Sequence, residues 1–419
     1  MTRDITPFPD DYLPSKLSDI VKKSNLERKE YQIQLITPMF GGGVEAKKTD
    51  CITPIRGSTI RGHLRFWWRA TRGARYCSAE ELYKEEEKIF GTNNQVSSIR
   101  LSIRINNEGE KVNYNEIKHL QYVLFPFQGP NKYTAGQDGR NAIKFKLSLE
   151  YPKELKDDVL AAVWAWISFG GIGARTRRGC GSLFSEDISP LPIDDINKWY
   201  KEWLDKLDIK ISLKTREWPT LPNTLLVNKT VLPHTTAWDS GVKIYKKFRQ
   251  WRTRRFGRSL WPEADSIRRI TGNSEDDHNE TITTDHNRFP RAEFGLPINF
   301  KFADKDTKDP QPCRLSPLDA ERMASPLIIK PLAISNSESI SVILKLNTPL
   351  IKKIKLEGIY IDNSLQNTPF KDEFSEGEIR NRDLIKYKRS PLKNKTRVGS
   401  AIEAFQTYVT NGGGYIWIK

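Results

Sequence analysis

The stretch GGIGARTRRGCGSL, from Gly170 to Leu183, holds five glycines and three arginines and no acid. Glycine admits backbone conformations and close approaches that a Cβ forbids, and arginine presents a planar fork of donors suited to phosphate. Two nucleotide-binding patterns are excluded. A dinucleotide fingerprint needs a glycine where Thr176 stands, and it opens a helix, whereas this stretch follows one. A Walker loop, G-x-x-x-x-G-K-[ST], is absent. Gly170, Gly171, Gly173, Gly179 and Gly181 therefore read as a tight helix-to-strand turn, with Arg175, Arg177 and Arg178 as cations on it.

Positive charge gathers in two further places. In STIRGHLRFWWRATRG, from Ser58 to Gly73, helical spacing puts Ile60, Leu64 and Trp67 on a core face. Arg61, Arg65 and Arg72 fall beside it, with Trp68 among them and Arg69 nearby, and no acid interrupts from Cys51 to Cys77. An arginine row with an aromatic suits phosphates and a stacked base. In VKIYKKFRQWRTRRF, from Val242 to Phe256, the cations are Lys243, Lys246, Lys247, Arg249, Arg252, Arg254 and Arg255. Ile244, Phe248 and Trp251 give its expected packing face. Like charges at helical spacing repel, so a polyanion that neutralises them is expected. An acidic protein partner and an anionic membrane face are the competing readings. The whole chain agrees: 68 Lys and Arg stand against 52 Asp and Glu, a net charge of +16.

Catalytic groupings are sparse. The five histidines are scattered, and neither HExxH nor a nucleophile elbow occurs. His278 and His286 lie among Asp276, Asp277 and Asp285, where a metal is conceivable, but a polar loop is the simpler reading. No catalytic residue, metal or cofactor is assigned.

Around these residues the chain reads as an α+β protein of 419 residues. A polar, proline-bearing arm covers 1–30. A first domain, 31–205, opens on the alternating strand Tyr31–Thr37, continues through the helix from Ser58, strands near Ile99–Ile105, Tyr122–Phe127 and Ala142–Leu149, and a helix over Lys153–Phe169, and ends with the glycine turn and a strand at Leu183–Phe184. That order approaches βαββαβ, the ferredoxin-like arrangement. A second domain, 206–419, gives a weaker copy with long insertions. Its expected strands are Leu207–Leu213, Thr224–Val231, Glu293–Phe302, Pro326–Ile334 and Ser339–Leu346, and its expected helices Ala237–Phe256 and Gly399–Tyr408, before a closing GGGYIWIK. Helix, glycines and strand end both halves, which hints at duplication. Glu357–Arg397 reads as a long insertion. Four separated cysteines, the lack of a signal-like N-terminus and the lack of a long apolar run point to a cytoplasmic protein.

TPMFGGG (Thr37–Gly43), IRGSTIRGHLRFWWRATRG (Ile55–Gly73) and GGIGARTRRGCGSL together resemble the RAMP superfamily of CRISPR systems, and within it the first-subunit family of the type III-B Cmr effector complex. The motifs lie in roughly the first 185 residues. The resemblance implies two ferredoxin-like, RNA-recognition-like domains and membership of a complex that carries CRISPR guide RNA and captures complementary target RNA. It implies a non-catalytic RNA-binding subunit. Thr37–Gly43, with Gly41, Gly42 and Gly43, and the helix from Ser58 would then wall an RNA groove. Arg56, Arg61, Arg65, Arg175, Arg177 and Arg178 would hold phosphate, and Lys47 and Lys48 in the adjoining loop are assigned to RNA with them. Relatives in the superfamily cleave RNA, so an endoribonuclease using Asp50 or His63 is the alternative.

Overall fold

The computed structural model describes residues 25–50, 52–129, 136–190, 195–211, 215–252, 259–276, 278, 287–302, 308–349, 351, 353–358, 373–374 and 400–418. Strand β1 runs over Leu26–Leu35, and its buried positions Tyr31, Ile33 and Leu35 keep the alternation read from sequence. It begins inside the expected arm, because Leu26–Glu30 pair in register with Pro152–Ser148. A long partner strand supplies ladder hydrogen bonds to a segment, LERKE, whose own composition argues against a strand. Residues 1–24 of the arm lie outside the described residues.

β2 (Met39–Phe40) is followed by α1 (Gly57–Ala70), which buries Ile60, Leu64 and Trp67 as the spacing implies. Helix α2 (Ala79–Phe90) begins with a capping box between Ser78 and Glu81. β3 (Arg100–Asn107), β4 (Glu110–Asn113), β5 (Asp138–Asn141) and β6 (Lys144–Pro152) follow. Between β4 and β5 the expected strand over Tyr122–Phe127 is instead a run of helical turns. Tyr114, Ile117, Leu120, Val123, Leu124 and Phe127 recur about every three residues and are all buried, a helical period that β-forming residue types concealed. Helix α3 (Lys156–Phe169) and β7 (Leu183–Phe184) complete the half. Its sheet runs β3–β6–β1–β7, antiparallel throughout.

Helix α4 (Ile196–Lys206) precedes the strand expected over Leu207–Leu213, which does not form in its described part: Leu207 is the helix C-cap, Asp208 continues the turn, and 212–214 lie outside the described residues. The main sheet of the second half follows the strand order of the first. β8 (Leu225–Pro233), α5 (His234–Arg249), β11 (Leu327–Ala333), β12 (Glu338–Lys345), α7 (Ala401–Gly412) and β15 (Ile416–Ile418) build a sheet ordered β11–β12–β8–β15. Counted along the chain, both sheets run second, third, first, fourth strand. The basic helix is shorter than expected and ends at Arg249. Between α5 and β11 lie α6 (Glu263–Thr271), β9 (Ile298–Phe300) and β10 (Cys313–Pro317). The last two join β13 (Ile354–Gly358) and β14 (Glu373–Phe374) in a further sheet, and β2, β5 and β4 form another. Most of Glu357–Arg397 is outside the described residues. No described helix is long and apolar enough to cross a membrane.

The two halves share one core around α3. Every residue from Ala161 to Phe169 is buried, as expected of a helix enclosed on all sides. Trp164 and Trp166 belong to one cluster with Phe145 and Leu147 of β6 and Ile328, Leu332 and Val342 of the second sheet. Trp164 also packs on Trp199, Tyr200 and Trp203 of α4.

Lys330 of β11 is 1% exposed at this junction. Its Nζ donates to the carbonyls of Gly170, at 2.9 Å, and Ile167, at 3.3 Å, at the C-terminus of α3. Burial pulls its pKa down to about 7. The unfolded chain keeps the Lys330 proton up to the ordinary lysine range, so between those limits it binds more protons than the folded chain and stability rises with pH. We expect wild type to gain on the order of 2 kcal/mol over Lys330→Met between pH 7 and pH 9 in urea denaturation. A pH-independent difference between the two would contradict this.

Candidate nucleic-acid interface

The glycine turn and the Thr37–Gly43 loop form one structure. Thr37 Oγ1 donates to the Gly179 carbonyl at 2.6 Å and accepts from Ser182 N at 2.9 Å. Gly181 N donates to the Pro38 carbonyl and Ala174 N to that of Phe40. Gly42 has φ +85°, and a Cβ there would stand 3.2 Å from Gly173 Cα, so the two loops touch backbone to backbone. A Cβ on Gly179, φ +83°, would meet the Trp238 ring at 2.5 Å. Close approach is thus needed at both positions, at the second for the other half of the chain. Gly170, Gly171 and Gly181 are buried, and only Gly173 to Arg177 is half-exposed.

Two of the turn's three arginines, Arg177 and Arg178, bond to the second half. Arg178 is buried; its guanidinium donates to the Leu327 carbonyl at 2.6 Å and to Tyr245 Oη at 3.0 Å. Trp238 Nε1 donates to the Arg178 carbonyl at 2.5 Å. Arg177 donates to the Ser325 carbonyl and lies over the Phe66 ring. Arg175 adopts a left-handed conformation, φ +62°, and lies 4.7 Å from the Phe125 ring centre. Burial, then the Arg178 charge, lower the pKa of Arg175; the same two causes lower that of Arg177 to about 10. Burial pushes the Tyr245 hydroxyl up, but Arg178 and Arg249 outweigh it and hold its pKa below the usual tyrosine value. Arg178 therefore joins the halves and is not a free phosphate contact.

The α1 row is also internally engaged. Arg65 Nε donates to Glu86 at 2.7 Å, and Arg69 grips the same carboxylate with two donors. Burial pushes the Glu86 carboxyl up, and hydrogen bonds from Arg69 and Arg65 more than reverse this. Arg72 donates to the Leu207 carbonyl at 2.7 Å and lies 3.4 Å from Asp158. Arg61 reaches the Ile99 carbonyl at 3.4 Å. Trp68 is fully buried and donates to Asp158 at 2.7 Å, so it offers no face to a base. The acids come from α2 and α3, beyond the reach of a local charge pattern.

Arg56 donates to the Gly42 carbonyl at the loop seam. Lys47 and Lys48 are exposed, Lys48 beside Glu45. On α5, Lys246 and Lys247 are exposed, and Lys243 pairs with Asp239 at 2.5 Å. Arg249 is half-buried and donates to Tyr245 Oη at 3.1 Å. The expected packing face of Ile244, Phe248 and Trp251 is displaced: Ala237, Trp238, Gly241, Val242, Tyr245 and Phe248 are the buried set. Arg252 is exposed, and Arg254 and Arg255 lie outside the described residues.

The two candidate catalytic residues serve local structure. Asp50 accepts from Ile52 N, Thr53 N and Thr53 Oγ1, and these bonds, the Thr53 amide first, lower its pKa. His63 stacks on Trp166, and burial drops its pKa to about 4. In the acidic loop, Asp276 pairs with Lys308 and His278 with Asp265, while Asp277 and His286 lie outside the described residues. Among the described residues no group of three or more His, Cys, Asp or Glu could hold a metal. Phe125, 59% exposed beside Arg175, and Tyr122 escape a sequence reading that puts them in a strand.

Residues 32–185 match the RAMP superfamily model. The resemblance is to a RAMP protein of the Cmr1 kind. The chain is 28% identical over 154 residues, 34% of its length, to the CRISPR system Cmr subunit Cmr1-1 of Pyrococcus furiosus, and the alignment spans only 44% of that relative. It is 26% identical over 176 residues to subunit Cmr1-2 of the same organism, covering 36% of this chain and 92% of that one. The crystal structure of apo Cmr1 from P. furiosus superposes with a TM-score of 0.50 at 18% identity, covering 78% of this chain and 89% of that one. That likeness is one of fold.

Removing the acid under the α1 row tests whether the row is structural. Glu86→Gln leaves Arg65 and Arg69 without their counter-charge, and we expect a loss of about 2 kcal/mol in denaturant unfolding, against a change within about 0.5 kcal/mol for Lys247→Ala on the exposed face of α5. Equal effects would show that the Glu86 cluster does not support the fold.

Proposed function

We propose that this chain is a non-catalytic RNA-binding subunit of a type III-B CRISPR effector assembly, contacting guide RNA and helping to capture complementary target RNA beside other Cmr subunits. Both halves are read as ferredoxin-like units, on the shared strand order of their main sheets. The observation that carries the reading is the seam of Gly42 on Gly173. Two glycine loops meet there, with Arg56, Lys47 and Lys48 on one side and Arg175 on the other. Backbone without side chains between cations admits a phosphodiester chain closely. Base pairing of guide with target would then supply sequence specificity, and the protein would hold the backbone. That Asp50 and His63 are committed to a turn and to a stack favours binding over cleavage.

Counterion release makes such binding strongly salt-dependent. We expect affinity for single-stranded RNA to fall about a hundredfold or more as salt rises from 50 to 200 mM. Lys47→Ala/Lys48→Ala/Arg56→Ala should cost about tenfold and flatten the salt slope. Salt-independent affinity would sink the reading. RNA cleavage that is lost in Asp50→Ala would transfer the chain to the nucleases.

A further inference from the structure

We infer that the line where the helical turns of the first half cross α5 is a seat for one unpaired nucleotide, with the base stacked on Phe125 and the adjoining phosphate held by Lys246 and Arg249. The inference rests on the RNA-binding reading and assigns it a place.

Three aromatic rings and their cations alternate across this line. Arg175 lies over Phe125 at 4.7 Å, Lys246 over Tyr122 at 5.9 Å, and Arg249 over Tyr245 at 5.7 Å. Tyr122 and Tyr245 are themselves 6.3 Å apart, which makes the strip continuous from one half to the other. Among the described residues no carboxylate pairs with Arg175, Arg178, Lys246 or Arg249. Glu263, the acid that acts on Arg249 through space, is already held by Arg291 at 3.1 Å. The row that starts on α1 differs: Arg65 and Arg69 share Glu86, and Arg72 has Asp158. At the junction Arg178 and Arg249 are met by the Leu327 carbonyl and the Tyr245 hydroxyl, and Arg175 by the Phe125 ring, with no carboxylate paired to them, and a bound anion would supply that counter-charge.

Phe125 decides the chemistry of that anion. Its neighbour two residues on, Phe127, is buried against Phe40 at 5.1 Å between ring centres, whereas Phe125 is 59% exposed. An exposed phenyl ring costs hydration free energy, and carboxylates alone, as in poly-glutamate, do not bury it. A nucleobase would, because stacking on an aromatic with a guanidinium alongside is how single strands are held without sequence preference.

The test measures binding of single-stranded RNA to the full chain by fluorescence anisotropy, with an abasic strand of the same length and poly-glutamate as comparison probes. Phe125→Ala and Phe125→Leu should weaken RNA binding about tenfold with an unchanged salt slope, leave the abasic strand unaffected, and keep the thermal midpoint. Phe125→Trp should restore affinity, with its fluorescence quenched on binding. Lys246→Ala should reduce the salt slope by about one. If wild type binds RNA with the salt dependence above and Phe125→Ala binds equally well, the seat is overturned and the RNA reading stands. If wild type ignores RNA and binds poly-glutamate, both are overturned.

Discussion

The enclosure of α3 is the constraint on which the rest depends. A helix covered on every side must be apolar all round, and VLAAVWAWISF is, so neither sheet can be removed without exposing Trp164 or Trp166. Where that helix ends, its carbonyls have no water to turn to. They are met by the Lys330 amine from the opposite sheet, which donates to them. The glycine turn begins at the same point, and its path is set by what must pass around the end of an enclosed helix. That accounts for the contacts of Gly179 with Trp238 and of Arg178 with Leu327 and Tyr245 better than a requirement to approach a ligand does.

This enclosure explains what could be read from sequence and what could not. Features set by local spacing were legible: the core face of α1, the alternation of β1, the helix–glycine–strand ending of both halves. The motifs within the first 185 residues pointed to the RAMP match that residues 32–185 carry. Features set across the chain were not. Nothing near Arg65 reveals that Glu86 will lie under it, and nothing near Trp68 reveals Asp158. The charge pattern around α1 is acid-free in sequence and paired in space. The strand expected over Tyr122–Phe127 failed for the opposite reason. Its residue types favour a strand, while the spacing from Tyr114 to Phe127 is helical, and packing on Phe40, Trp238 and Val242 decided in favour of spacing.

The same distinction changes how the net charge of +16 is understood. Arginines with an acid or a main-chain carbonyl from another element are part of the fold, and their number says little about ligands. Among the described residues, cations with no paired acid include Lys47 in the loop beside Gly42, Lys246 and Lys247 of α5, and Arg175 and Arg249, which lie on aromatic rings. Lys246 reaches across to Tyr122 of the first half, and Lys47 lies in the loop that meets Gly173. The junction is a region that neither half completes alone, since Arg178 of the first bonds to Leu327 and Tyr245 of the second. An anionic chain laid along that line would touch both halves at once and add to the contacts that already fasten them. Binding and cohesion of the halves would then share a free energy, through Arg178 and Tyr245, which bond to each other at the strip. Cations committed to holding a fold together can thus belong to a binding surface without touching the ligand, by fixing the aromatic rings on which the exposed cations rest.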